Sequence, residues 1–76
     1  MNYIQEETAD VREFLWNYKE DLIEFQLKHD VQIIRGEDYQ YMCYINKECY
    51  STGLTTLGSL VYGYKKYKET KENEKD

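Results

Sequence analysis

The chain has 76 residues, no proline and a net charge of −5 from ten basic and fifteen acidic side chains. That length holds one domain, excludes a second folded unit, and buries only about 60–65% of the surface the unfolded chain exposes. No apolar run approaches the roughly 18–20 residues of a membrane span, and the start Met1-Asn2-Tyr3-Ile4-Gln5-Glu6-Glu7 has neither the basic nor the apolar region of a signal peptide, so a cytoplasmic protein is expected.

The charge is unevenly placed. Residues 1–30 carry eight carboxylates against Arg12, Lys19 and Lys28, whereas residues 54–76 are close to balanced. An acidic amino-terminal third argues against nucleic acid as its partner, because phosphates reward clustered lysine and arginine. A basic protein surface is the better complement.

The first predicted element is a helix over residues 8–28. Val11, Leu15, Tyr18, Leu22 and Phe25 recur at spacings of three and four, one face of a helix, with Thr8 or Asp10 as cap and Lys28 and His29 at the exit. On a wheel of 100° per residue, Glu6, Glu13, Glu20 and Glu24 gather on the far side, with Asp10 and Asp21 on one shoulder. Beside this acidic ridge lie Trp16, Ile23 and Leu27, roughly 120–160° from the core stripe and therefore exposed in a two-layer domain. A tryptophan flanked by aliphatic residues and rimmed by acids has the composition of an interface anchor.

Three antiparallel strands are expected next, over residues 31–35, 38–45 and 48–52, with Gly36-Glu37 and Asn46-Lys47 as turns. A two-residue turn at Asn46-Lys47 sets Tyr44 opposite Cys49 and Cys43 opposite Tyr50. The two thiols then point to opposite faces of the sheet and cannot form an internal disulfide. Tyr39, Tyr41 and Tyr50 are expected on the face of Cys43 and Ile45, with Met42, Tyr44 and Cys49 on the other.

A second helix opens after Thr52-Gly53 or at Thr55, with Leu54, Leu57, Leu60, Val61 and Tyr64 facing the core. Gly58 and Gly63 inside it imply close packing or a bend. The domain is expected over residues 1–68, followed by a flexible charged tail over residues 69–76. The fold class is thus α+β: helix, three-stranded antiparallel sheet, helix.

Subtraction argues against catalysis and cofactors, and the acids that could form a catalytic pair cluster on an exposed helix face with no apolar pocket to raise a pKa. His29 is the single histidine, no nucleophile lies beside it in sequence, and with Cys43 and Cys49 it falls short of a four-ligand metal site. The four glycines match neither phosphate-binding nor dinucleotide-binding spacing. No metal, cofactor or enzymatic role is expected.

Two functional readings follow. In the first, Glu6, Asp10, Glu13, Glu20 and Glu24 stand in for phosphates on a basic, nucleic-acid-binding surface of another protein, while Trp16, Ile23 and Leu27 provide the apolar contact. The acidic composition and the order helix, three strands, helix resemble the small inhibitors that phages and mobile elements direct against host nucleases, anti-CRISPR proteins among them. That resemblance rests on composition and element order, and implies an inhibitory, DNA-mimicking partner of a host protein. In the second reading the chain is a homodimeric accessory module that meets nucleic acid through Tyr64, Lys65, Lys66, Tyr67 and Lys68.

Overall fold

The computed structural model describes residues 3–74, and the side chains of residues 4–71. Helix α1 (Tyr3–Lys28) leads into strands β1 (Val31–Arg35), β2 (Tyr41–Ile45) and β3 (Glu48–Gly53), and helix α2 (Thr56–Glu74) follows. The strands form one antiparallel sheet in the order β1-β2-β3; α2 packs on the sheet, mainly against β3 and β2, and α1 packs against α2. The architecture is the expected α+β fold. Among the described residues no helix is long and apolar enough to cross a membrane.

Helix α1 starts five residues earlier than its apolar periodicity suggests. Thr8 therefore sits inside the helix, where its Oγ1 donates to the Ile4 carbonyl at 2.7 Å, and caps nothing. The helix breaks at Tyr18, with φ −132° and ψ 21°. One residue earlier, the Asn17 side-chain amide donates to the Glu13 carbonyl at 3.0 Å, the same acceptor an unbroken ladder would give the Asn17 backbone. Such competition is a common cause of a bend.

The buried face of α1 also differs from the expected stripe. Val11, Phe14, Leu22 and Phe25 are buried, Leu15 is only partly covered, and Tyr18 is half exposed. Phe14 and Leu15 are the two helical neighbours of Val11, and spacing alone does not choose between them. Phe14 wins because it meets Tyr64 of α2 edge-on at 5.5 Å.

From there a run of rings crosses the domain. Tyr64 meets Phe25 at 4.9 Å, Phe25 meets Tyr67 at 5.2 Å, and Tyr67 meets Tyr50 of β3 at 5.3 Å, all edge-to-face. These offset geometries are the favoured ones for aromatic quadrupoles.

The β2–β3 turn is the expected two-residue one, Asn46 and Lys47 having φ 52° and 72°. Its tip fastens the exit of α1. Asn46 N donates to the Asp30 carbonyl at 2.7 Å, and Asp30 N donates to Asn46 Oδ1 at 3.1 Å. Tyr44 pairs with Cys49 as expected, but Cys43 pairs with Ser51 because a β-bulge inserts Tyr50 as an extra residue. The bulge lets Tyr50 and Ser51 both serve the helical side: Tyr50 joins the aromatic run, and Ser51 Oγ donates to the Ser59 carbonyl at 2.7 Å. Cys43 and Cys49 remain on opposite faces, the first buried and the second exposed, both free thiols. Burial, followed by the nearby Cys49, raises the Cys43 thiol to about 11.

Strand β2 begins at Tyr41, three residues later than expected, because Asp38 and Tyr39 adopt left-handed backbone (φ 60° and 59°) and extend the turn. Tyr39 consequently leaves the sheet face and lies exposed, its ring under the Arg35 guanidinium at 5.7 Å.

Helix α2 buries Leu60 and Val61. Leu54 precedes the helix and Leu57 is exposed, in contrast to the expected core face. The helix continues through residues 69–74, the greater part of the segment expected to be a charged tail; residues 75–76 lie outside the described residues.

Gly58 and Gly63 provide the close packing anticipated from their positions. A Cβ on Gly58 would collide with the Glu7 carboxylate, and one on Gly63 with the Cys43 thiol.

Candidate protein-binding surface

Most acidic residues of α1 stay in solvent, and one does not. Glu7 is only 5% exposed, although nothing in its charge suggests burial. It occupies the core face one turn before Val11, and its carboxylate accepts from Leu54 N at 2.9 Å, Thr55 N at 2.7 Å and Thr55 Oγ1 at 2.6 Å. Thr55 Oγ1 in turn accepts from Gly58 N at 2.9 Å. An acid of α1 thus closes the start of α2, where unpaired N–H groups and the helix dipole favour negative charge. This clasp fixes how the two helices sit side by side, and so shapes the surface they share.

The outward side of α1 carries the expected apolar stripe. Trp16 is 90% exposed, Leu27 82% and Ile23 47%. Glu6, Glu13, Glu20 and Glu24 are exposed alongside it. Because the helix breaks at Tyr18, the ridge consists of two pieces, Glu6, Asp10 and Glu13 before the break and Glu20 and Glu24 after it. Asp10 belongs partly to α2, since Tyr62 donates its hydroxyl proton to Asp10 Oδ2 at 3.2 Å. Burial and then this bond raise the Tyr62 phenol above its ordinary value.

Beyond the ridge, an open groove of about 760 Å³ runs between the helices. Helix α1 lines it with Asp10, Glu13, Phe14, Asn17, Tyr18 and Asp21, and α2 with Tyr64, Lys65, Lys68 and Glu69. Lys65 Nζ stands 5.4 Å from the centre of the Phe14 ring, and Lys68 Nζ stands 5.7 Å from that of Tyr64. Such distances are those of cation–π pairs.

The basic, tyrosine-rich end of α2 is built differently from what a base-stacking platform requires. Tyr64 and Tyr67 are half-buried: each packs edge-on within the aromatic run and carries an ammonium over its ring, Lys68 on Tyr64 and Lys71 on Tyr67, while Lys65, Lys66 and Lys68 are exposed. Burial, followed by the Asp21 charge, raises the Tyr64 phenol above its ordinary value.

The groove was not legible in the sequence as a unit. Phe14, Asn17, Tyr18 and Glu69 come together where the two helices lie side by side, joined by the Glu7–Thr55 clasp, the Tyr62–Asp10 bond and the packing of Tyr64 on Phe14 and Phe25. The available signal was Glu7 itself, an acid at helical spacing from Val11 and Phe14.

Compared with known proteins, the chain matches no family model, no curated sequence and no solved structure.

Proposed function

We propose that this chain is a small acidic binding module rather than a catalyst. In this reading it acts in the cytoplasm by docking the outward side of α1 on a basic, nucleic-acid-binding surface of another protein. The observation that carries the proposal is the exposure along α1 of Trp16, Ile23 and Leu27 together with the carboxylates of Glu13, Glu20 and Glu24, Trp16 and Glu13 before the break at Tyr18 and the others after it. Burying such a tryptophan is a strong source of binding energy, and the acids around it select for a cationic rim. A row of carboxylates on a basic groove excludes the phosphates that groove would otherwise bind, so the module acts as an inhibitor of its nucleic-acid-binding or nuclease-type partner. That is the mode of a phage or mobile-element anti-defence protein of the anti-CRISPR kind.

The alternative, nucleic acid on the Tyr64–Lys68 end, finds less support because Tyr64 and Tyr67 are half-buried in the aromatic run and four acidic side chains line the groove beside them.

The test is recovery of binding proteins from the native host on the immobilised protein, in the presence and absence of excess duplex DNA. The reading expects a nucleic-acid-binding protein that DNA displaces and that the Glu13→Lys/Glu20→Lys/Glu24→Lys variant fails to hold. A recovered protein indifferent to both would contradict it.

A further inference from the structure

The groove between α1 and α2 lies next to the acidic ridge and is built from two kinds of cation receptor. Its floor is aromatic: Phe14, Tyr18 and Tyr64. Its edges carry the carboxylates of Asp10, Glu13, Asp21 and Glu69, four against the two ammonium groups of Lys65 and Lys68. At about 760 Å³ it has the size of a ligand site and holds an extended side chain with room to spare.

The two lysines supply an independent observation. Each places its ammonium over one of the floor rings, Lys65 on Phe14 and Lys68 on Tyr64. The ring faces of this groove are therefore already used as cation seats, and by flexible point charges on four-carbon stems. A guanidinium is the better occupant of such a seat. It is planar, stacks on a ring face, is less strongly hydrated than an ammonium, and offers a fork of donors that matches a carboxylate.

We propose that this groove receives an arginine side chain of the partner protein, which takes the place of a lysine ammonium on one of the rings and engages the carboxylates that line the groove. The inference rests on the reading of α1 as the contact for a basic partner, and it names a second point of contact. The tryptophan stripe gives apolar anchorage on one side of the acidic ridge, and the groove captures a guanidinium on the other. On release of the partner, the displaced lysine returns to its own ring, Lys65 to Phe14 or Lys68 to Tyr64.

The probe is a hexa-arginine peptide, with hexa-lysine as comparison, followed by NMR of the Phe14, Tyr18 and Tyr64 ring resonances. Saturable shifts at these rings are expected, with hexa-arginine binding several-fold more tightly than hexa-lysine. Asp21→Asn should weaken binding at least threefold. Lys65→Ala/Lys68→Ala should tighten it at least threefold, because the seats are vacated. The control is Lys19→Ala/Lys47→Ala, which removes the same charge outside the groove and should leave affinity within twofold. Thermal melts of each variant establish that it is folded. Shifts confined to the Glu20 and Glu24 region, or equal gains from both lysine pairs, would show attraction by net charge alone and overturn the proposal. Such a failure leaves the α1 reading standing if Trp16→Ala still abolishes capture of the host protein; loss of that dependence instead would strike the α1 reading while the groove is intact.

Discussion

Glu7 and Thr55, 48 residues apart, are joined through one carboxylate oxygen: Glu7 Oε2 accepts from both the backbone N–H and the hydroxyl of Thr55. The bond is a helix cap donated by another helix, which ties the start of α2 to the first turns of α1. Removing it leaves half-buried donors at Leu54 and Thr55 without their protein partner, and losses of that kind run to about 1–3 kcal/mol. Glu7→Ala should therefore lower stability by about 2 kcal/mol in urea denaturation, while Glu6→Ala, one residue away and exposed, should stay within about 0.5 kcal/mol.

Gly58 adds a coupled prediction. In an open helix Gly→Ala gains up to about 1 kcal/mol, but here the new methyl group would push the Glu7 carboxylate off its three donors. Gly58→Ala should destabilise the wild-type protein and become neutral or stabilising in the Glu7→Ala background. A double-mutant cycle reads this directly, because the two residues share one set of bonds.

The core offers a rank order. Phe14 is buried and holds Tyr64 edge-on, whereas Leu15 is partly covered. Phe14→Ala should cost about 3–5 kcal/mol and Leu15→Ala clearly less, measured by thermal or urea unfolding. Equal losses would mean that the helix is rotated from the position described.

The two thiols should differ in kind. Cys49 is exposed and should react with a thiol reagent within the ordinary time for a free cysteine, while Cys43 should react only as fast as the protein opens. The pH dependence follows from the raised Cys43 value. The unfolded thiol ionises near 9 and the folded one near 11, so the unfolded state loses its proton first and the thiol's contribution to stability, full below pH 9, declines between pH 9 and 11. Replacing Cys43 with alanine should remove that component of the alkaline decline, although the raised phenols of Tyr50, Tyr62 and Tyr64 act in the same direction.

Much of the fold follows from local rules. The spacing of Val11, Leu22 and Phe25 predicts α1, Asn46-Lys47 predicts the hairpin, and Leu60 and Val61 predict the inner face of α2. Departures arise where distant residues decide. Phe14 displaces Leu15 because Tyr64 waits for it, Tyr50 bulges so that it can reach Tyr67, and Glu7 is buried because α2 begins beside it. The exposure of Trp16, Ile23 and Leu27 was legible from helical phase, although the break at Tyr18 separates Trp16 from the other two. The groove needed two helices and was not.

The central claim is that α1 meets a basic partner through its acidic ridge and its tryptophan stripe. Its most direct test is the association rate of the recovered partner with the wild-type protein, with Glu13→Lys/Glu20→Lys/Glu24→Lys and with Trp16→Ala, measured across a range of ionic strength. The account predicts that association slows steeply with salt in the wild type, that the triple variant associates slowly at all salt concentrations, and that Trp16→Ala mainly speeds dissociation and weakens binding by about 2 kcal/mol or more. An unchanged on-rate and unchanged salt dependence in the triple variant, with unchanged dissociation in Trp16→Ala, would contradict it.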